Sequence, residues 1–195
     1  MYIVLFGPPG VGKGTQSKKL AAKYQLKHIS PGHLLRTHIR QQTPLGQQIA
    51  QYINTGRLAP DQLVVDMVIQ QLTSTKAPQG FLLDGFPRTV TQAVQLDTQL
   101  ATHHQKINII ILLEVPTAEL VKRIQLRATL EGRIDDQGPE KVSMRMHTYQ
   151  LHTLPILDYY KKRHPLIRVC GVGDEQTVFA RIVKALTAYT TCYTA

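Results

Sequence analysis

Tyr2-Ile3-Val4-Leu5-Phe6-Gly7-Pro8-Pro9-Gly10-Val11-Gly12-Lys13-Gly14-Thr15 decides how the chain is read. The apolar run predicts a short buried strand. It passes directly into a glycine-rich turn carrying a lysine, and an amphipathic stretch follows from Thr15. Strand, loop and helix in that order are what a phosphate-binding loop requires. The glycines let the backbone fold inward, so that several N–H groups converge on one point. The helix adds the positive end of its dipole, and Lys13 reaches the outer phosphates as a point charge. The general motif places Ser or Thr directly after the lysine, whereas Gly14 intervenes here. An ordinary strand-to-helix turn has no reason to bring Gly7, Gly10, Gly12, Lys13 and Thr15 into register. Alone, the loop specifies a bound nucleoside triphosphate or similar polyphosphate and nothing more.

The 195 residues suffice for one domain with a full core and small mobile inserts. No apolar run is long enough for a membrane-spanning helix, and with a strand from residue 2 no leader is expected. Cys170 and Cys192 fit no metal or redox spacing. One buried thiol, one thiol near a loose end and a cytoplasmic setting are the expectations. The net charge of +10 fits nucleic-acid binding, small phosphorylated substrates, or a solvated face such as Lys18, Lys19 and Lys23. No lysine-rich tail or RNA-binding aromatic motif accompanies it. Small phosphorylated molecules are therefore the favoured partners, with nucleic acid the minority reading.

Further along, a helix is predicted from about Gly14 to Tyr24, with Leu20, Ala21 and Tyr24 facing the sheet. Lys27 to Ser30 reads as a strand broken by Pro31-Gly32, with a helix starting just after. Residues 34–59 read as short helices broken at Pro44, Gly46 and Gly56; poor in apolar stripes, they suggest a movable insert outside the main core. A helix from Pro60-Asp61 places Leu63, Val64, Met67, Val68 and Leu72 on one face. The run Gly80-Phe81-Leu82-Leu83-Asp84 predicts a strand whose carboxylate emerges at its C-terminal end, where ligands sit in open α/β sheets. Asp84 is either a helix cap or a holder of magnesium through its water shell.

Val90 to His103 predicts a helix, and Ile107 to Val115 a central parallel strand. The next helix carries Leu120, Val121, Ile124 and Leu126, with Arg123 and Arg127 sharing another face. A connection over 128–138 leads to a long helix from about Pro139 to Lys162, kinked at Pro155. Leu166 to Cys170 is a fifth strand, and Glu175 to Tyr189 a last helix with a frayed Thr-rich tail. Alternating strands and helices without an internal repeat define a three-layer α/β fold. Its five-stranded parallel sheet has helices on both faces and right-handed crossovers. The histidines are scattered and read as surface or core residues.

Gly7-Pro8-Pro9-Gly10-Val11-Gly12-Lys13-Gly14-Thr15-Gln16 resembles the loop of adenylate kinases, which also place a glycine between lysine and threonine. Phe81-Leu82-Leu83-Asp84-Gly85-Phe86-Pro87-Arg88-Thr89 is similar to their second signature. Gln92 falls where they carry a glutamine that reads the adenine of AMP. Arg133-Ile134-Asp135-Asp136 resembles the end of their lid, and Arg145 matches an arginine on the following helix. The resemblance covers nearly the whole chain and is to the short-lid branch.

It implies a P-loop kinase domain with a monophosphate-binding insert at 30–59 and a short lid at 127–138, both mobile. The implied reaction is ATP + AMP ⇌ 2 ADP with Mg2+, held through waters near Thr15 and Asp84. The implied ATP contacts are Gly10, Val11, Gly12, Lys13, Gly14 and Thr15, with Arg123 facing the phosphates, Arg127 along the adenine side and Gly173 at the base. On the AMP side it implies Pro31, Arg36, the backbone of Arg57, Leu58 and Ala59, then Gly85, Phe86, Pro87, Arg88 and Gln92. Arg133 and Arg145 would close over the transferred group. Lys13, Asp84, Arg88, Arg123, Arg133 and Arg145 form the implied catalytic set. The short, cysteine-free lid implies no structural zinc, and a monomer is expected.

Two positions depart from the family pattern. Ile29-Ser30-Pro31-Gly32-His33 stands where members usually read Ile-Ser-Thr-Gly-Asp. Pro31 lacks a hydroxyl and an N–H that would help hold AMP, and His33 replaces a carboxylate beside Arg36. Drift at a tolerant loop is the favoured reading; the sharper one is that acceptor selection leans on Gln92 and backbone contacts, with a weaker base preference or lower acceptor affinity. Two alternatives stay open: a related monophosphate kinase with another acceptor, and a catalytically weak nucleotide- or nucleic-acid-binding protein. Gln92 argues against a pyrimidine acceptor. The complete set of phosphate-facing cations argues against the second.

Overall fold

The computed structural model describes the backbone of residues 1–193 and the side chains of residues 1–191; the expectation for Cys192 lies outside the described residues. Its sheet is made of β1 (Tyr2–Phe6), β2 (Lys27–Ile29), β3 (Phe81–Asp84), β4 (Ile109–Glu114) and β5 (Leu166–Cys170), in the order β2-β3-β1-β4-β5. Every pairing is parallel. Parallel strands covered on both faces must be apolar throughout, which is why β1 reads as an unbroken hydrophobic run.

Strand alternation divides the core in two. Val4, Phe6, Leu83, Ile110 and Leu112 pack on one face with Val64, Val68, Leu96, Leu100 and Tyr160. Ile3, Leu5, Leu82, Ile109, Ile111 and Leu113 pack on the other with Leu20, Val178, Ile182 and Leu186. The register sets Asp84 opposite Leu5, so its carboxylate leaves the sheet beside the loop that follows β1.

The helices are α1 (Lys13–Tyr24), α2 (Pro31–Arg40), α3 (Pro44–Ile53), α4 (Asp61–Ser74), α5 (Val90–Thr102), α6 (Thr117–Glu131), α7 (Pro139–Thr148), α8 (Ile156–Lys161) and α9 (Glu175–Tyr193). Helix α2 begins at Pro31 itself, with Ser30 as its flanking residue, rather than after Gly32. The missing N–H of proline is harmless at the first helical position, where that donor has no intrahelical partner. Leu35, Ile49 and Ala59 are buried in the main cluster, so the 34–59 segment is anchored to the core it was expected to stand outside.

Gly46 does not break a helix. It lies in the first turn of α3, where its N–H donates to the Thr43 hydroxyl at 3.0 Å. A Cβ on Gly46 would stand 2.1 Å from the His38 carbonyl oxygen of α2. The glycine therefore sets how closely these two helices approach. Gly46→Ala is expected to destabilise the fold by about 1–3 kcal/mol, read as a fall of several degrees in melting temperature. An unchanged melting curve would contradict this packing.

Helix α6 runs on to Glu131 and stops at Gly132 in the left-handed region, so residues 128–131 are helical rather than connecting. The irregular part of the lid shrinks to the stretch around a 3₁₀ turn at Ile134–Asp136. Leu126 is 60% exposed. It sits about 200° round the helix from buried Ile124, on the face away from the core.

The long helix predicted after Pro139 is divided by a π turn at Tyr149–Thr153, in which the Leu154 N–H reaches the Tyr149 carbonyl at 2.8 Å. Pro155 has no N–H to offer the turn before it, and the widened turn accommodates that loss. Thr190 and Thr191 continue α9 instead of fraying, their hydroxyls bonded back to the carbonyls of Leu186 and Thr187. Cys170 ends the edge strand β5 and is exposed, not buried. Among the described residues no helix is long and apolar enough to cross a membrane.

Candidate active site

The loop between β1 and α1 is bent by Gly7, Gly10 and Gly12, all at positive φ. Gly10 also has no room for a side chain, since a Cβ would meet Ile124 at 2.7 Å and the Leu120 carbonyl at 2.9 Å. Helix α6 thus presses on the loop and holds its shape. Lys13 lies across the loop, its Nζ donating to the Gly7 carbonyl at 2.6 Å and the Pro8 carbonyl at 2.9 Å. Burial brings its ammonium down to about 7, opposed by Asp84 and reinforced by Arg88, Arg127 and Arg145.

Asp84 faces this loop, its Oδ2 3.7 Å from where a Cβ on Gly14 would lie. Burial alone would raise the carboxyl, but contact with His28 and the charge of Lys13 hold it below its ordinary value. His28 Nε2 stands 3.4 Å from Asp84 Oδ2. Sequence reading left this histidine among the scattered ones. Its signal is the β2–β3 register, which pairs His28 with Leu82, two residues before Asp84.

On the acceptor side, a cleft is lined by Pro31, Arg36, Arg57, Leu58, Ala59, Gly85, Arg88, Gln92 and Arg145, with Asp135 closing it from the lid. Pro87 lines the adjoining cleft with Gly7, Lys13, Arg88, Arg145 and Thr153. Phe86 is 1% exposed and packs in the core, so only its backbone is available there. Arg36 and Arg88 converge above Gly32, where a Cβ would lie 3.3 Å from a terminal nitrogen of each. Arg88 is aimed by its Nε, which donates to the Gly85 carbonyl at 2.8 Å. Its backbone carbonyl accepts from the Thr153 hydroxyl of the π turn at 2.9 Å. Burial brings Arg36 down to about 10, with Arg133, Arg88 and Arg145 adding repulsion and Asp135 relieving it. His33 is exposed at the rim; burial and then Arg36, Lys18 and Arg40 lower its pKa.

Asp135 and Asp136, given no role from the sequence, organise the lid. Asp136 is fully buried; it accepts from Arg127 Nε at 2.7 Å and pairs with Arg133 and Arg145. Asp135 accepts from Arg133 Nη2 at 2.8 Å and Arg145 Nη1 at 2.7 Å. Burial and mutual repulsion bring Arg145 down to about 10 in spite of both carboxylates.

Arg123 is expected to face the phosphates and Arg127 to lie along the adenine side of ATP. Arg123 donates to Glu119 at 2.9 Å and to the Gly171 carbonyl at 3.0 Å, on the loop after β5 that also carries Gly173. Arg127, expected along the adenine side, joins the lid carboxylates and lies near enough to Lys13, Arg88 and Arg145 to lower them. One helical turn of α6 separates the two, and the turn nearer Gly132 is the one nearer the lid. In all, Lys13, Arg36, Arg88, Arg127, Arg133 and Arg145 outnumber the carboxylates Asp84, Asp135 and Asp136.

A parallel sheet whose first loop is bent by positive-φ glycines ahead of a helix, beside a cleft where half-buried cations outnumber carboxylates, defines a P-loop phosphotransferase. The family model for adenylate kinase matches residues 5–165. Adenylate kinases of Xylella fastidiosa and Porphyromonas gingivalis are 44% and 41% identical to the chain, covering 95% and 93% of it and 99% and 93% of their own lengths. That of a Cyanothece species is 41% identical, covering 92% of each. The chain belongs to the adenylate kinase family: it is a kinase catalysing phosphoryl transfer, and this membership implies use of ATP with magnesium.

Proposed function

We propose that the enzyme transfers the terminal phosphoryl group of ATP to AMP, reversibly, giving two ADP. The carrying observation is the excess of half-buried cations lining the cleft between the loop and the acceptor side. An oxygen of the AMP phosphate attacks the terminal phosphorus, and the bond to the oxygen of the leaving ADP breaks. The acceptor is already an ionised phosphate, so no general base is required and alignment with charge neutralisation carries the chemistry.

In this reading the amides from Gly10 to Thr15 cradle the ATP phosphates, with Lys13 swung out from its loop carbonyls toward the transferred group. Arg36 and Arg88 grip the AMP phosphate by their planar forks. Arg127, Arg133 and Arg145 neutralise charge on the transferred phosphoryl, while Arg123 and Gly173 serve the base side of ATP. The Thr15 hydroxyl and the Asp84 carboxylate are hard oxygen donors on adjoining elements, a set that suits magnesium. The ion supplies further charge neutralisation when bound. Residues 30–59 and 127–138 close over the two nucleotides and exclude water. Gln92, the Arg57–Ala59 backbone and the pocket beside Pro31 select the acceptor base. The enzyme acts as a monomer.

A coupled assay following ADP from ATP with AMP, CMP, UMP, GMP or dAMP tests this. AMP is expected to be the best acceptor by at least about tenfold in kcat/KM. ADP production that does not depend on a monophosphate would overturn the reading, and a pyrimidine preference would replace it with the related kinase.

A further inference from the structure

The Gln92 carboxamide is held from both ends. Its Oε1 accepts from the Arg88 backbone N–H at 2.7 Å, and its Nε2 donates to Asp61 Oδ1 at 2.7 Å. A backbone N–H can only donate and an ionised carboxylate can only accept, so these partners dictate which end is oxygen and which is nitrogen. Asp61, the first residue of α4, is itself fixed: its Oδ2 accepts from the Thr89 hydroxyl at 2.8 Å. That same hydroxyl caps α5 by accepting from the Gln92 backbone N–H at 3.1 Å. Gln92 is 1% exposed yet lines the acceptor cleft, with one amide hydrogen and one oxygen lone pair left over.

We propose that Asp61 is a specificity-determining positioning residue: by preventing inversion of the Gln92 amide, it makes the cleft accept a 6-aminopurine monophosphate and reject a 6-oxopurine. The inference rests on Gln92 facing the acceptor base, as proposed above. A 6-aminopurine presents an N–H donor beside a ring-nitrogen acceptor; a 6-oxopurine presents the reverse at the same edge. A fixed amide complements the first, and the second requires it turned over. Turning it over sets the amide oxygen against the Asp61 carboxylate and the amide nitrogen against the Arg88 N–H. Both bonds are lost and two like-polarity contacts are made. Asn at position 61 keeps the shape but can offer the amide either an acceptor or a donor. Inversion then forfeits the Arg88 bond alone.

Asp61→Asn, Gln92→Ala and the double variant are to be assayed with AMP and with inosine monophosphate as acceptors, alongside melting curves. Asp61→Asn is expected to raise the ratio of kcat/KM for inosine monophosphate over AMP about tenfold, through the KM of the monophosphates rather than kcat. Gln92→Ala should also erode the preference for AMP, and adding Asp61→Asn to it should change nothing more. A ratio unmoved by Asp61→Asn but moved by Gln92→Ala overturns the lock and leaves Gln92 as the reader. An equal loss with both acceptors, tracking a lower melting temperature, reduces Asp61 to a structural role. A ratio unmoved by Gln92→Ala overturns the lock together with the placement of Gln92 at the base.

Discussion

Lys13→Met is expected to lower kcat/KM for ATP plus AMP by about 10³-fold or more while leaving the fold intact. Removing one fixed donor from charge developing in a dry site costs about 10²–10³-fold, and a cation on the transferred phosphoryl can count for about 10³–10⁵. In the proposed reading Lys13 belongs to the second kind, because its stem rises from the loop assigned to the ATP phosphates. The fold should survive for a separate reason. Without nucleotide the lysine makes only its two bonds to the Gly7 and Pro8 carbonyls, which water at the open cleft can replace. Burial already disfavours its charge, bringing it down to about 7. Methionine fills the same channel with an uncharged chain, so the melting temperature should hold or rise. Circular dichroism melting and the coupled assay together check both halves. Near-normal turnover would remove Lys13 from the site.

The sheet was legible because parallel strands buried on both faces leave an unambiguous apolar run, as in Tyr2–Phe6 and, up to its last residue, Ile109–Glu114. The phosphate loop was legible because its conformation requires glycine at fixed spacing. What stayed hidden depends on contacts between segments distant in sequence. Asp61 reaches Gln92 across 31 residues, and His28 meets Asp84 only once the β2–β3 register exists. Gly46 read as a breaker because its closeness to the His38 carbonyl is a tertiary fact. Arg123 and Arg127 illustrate a subtler limit: four-residue spacing fixes a shared face but not which end of it lies nearer the lid. The direction of the chain supplies that, since α6 runs toward the lid. Pro31 changes meaning too. As the first residue of α2 it costs the helix nothing, so its presence at the acceptor pocket needs no structural compensation.

Asp136→Ala should be the most destabilising single change in the lid, at about 3–5 kcal/mol for breaking a buried ionic network. For a chain of this size that is a fall of about 6–20 °C in melting temperature. The Asp136 side chain is 0% exposed and is shared by Arg127, Arg133 and Arg145, so its loss strips Arg127 of its carboxylate partner and leaves Arg133 and Arg145 to share Asp135. Asp135 cannot take over, being already committed to Arg133 and Arg145. It is itself held far below the usual carboxylate range: burial would raise it, but the Arg133 hydrogen bond and the charges of Arg145, Arg133 and Arg36 prevail. The sign follows from that depression. The stability Asp135 contributes is complete above its unfolded value near 3.8 and is lost only as pH falls toward its lower folded value. The wild-type lid cluster should therefore survive mild acid, and the Asp136→Ala defect should be present undiminished at pH 7. Bound nucleotide separates the two things these arginines do. If they face the transferred phosphoryl, phosphate oxygens supply the missing negative charge, and saturating ATP plus AMP should narrow the melting gap between variant and wild type. An equal gap with and without nucleotides would mean that the Asp136 network braces the lid without facing the reaction.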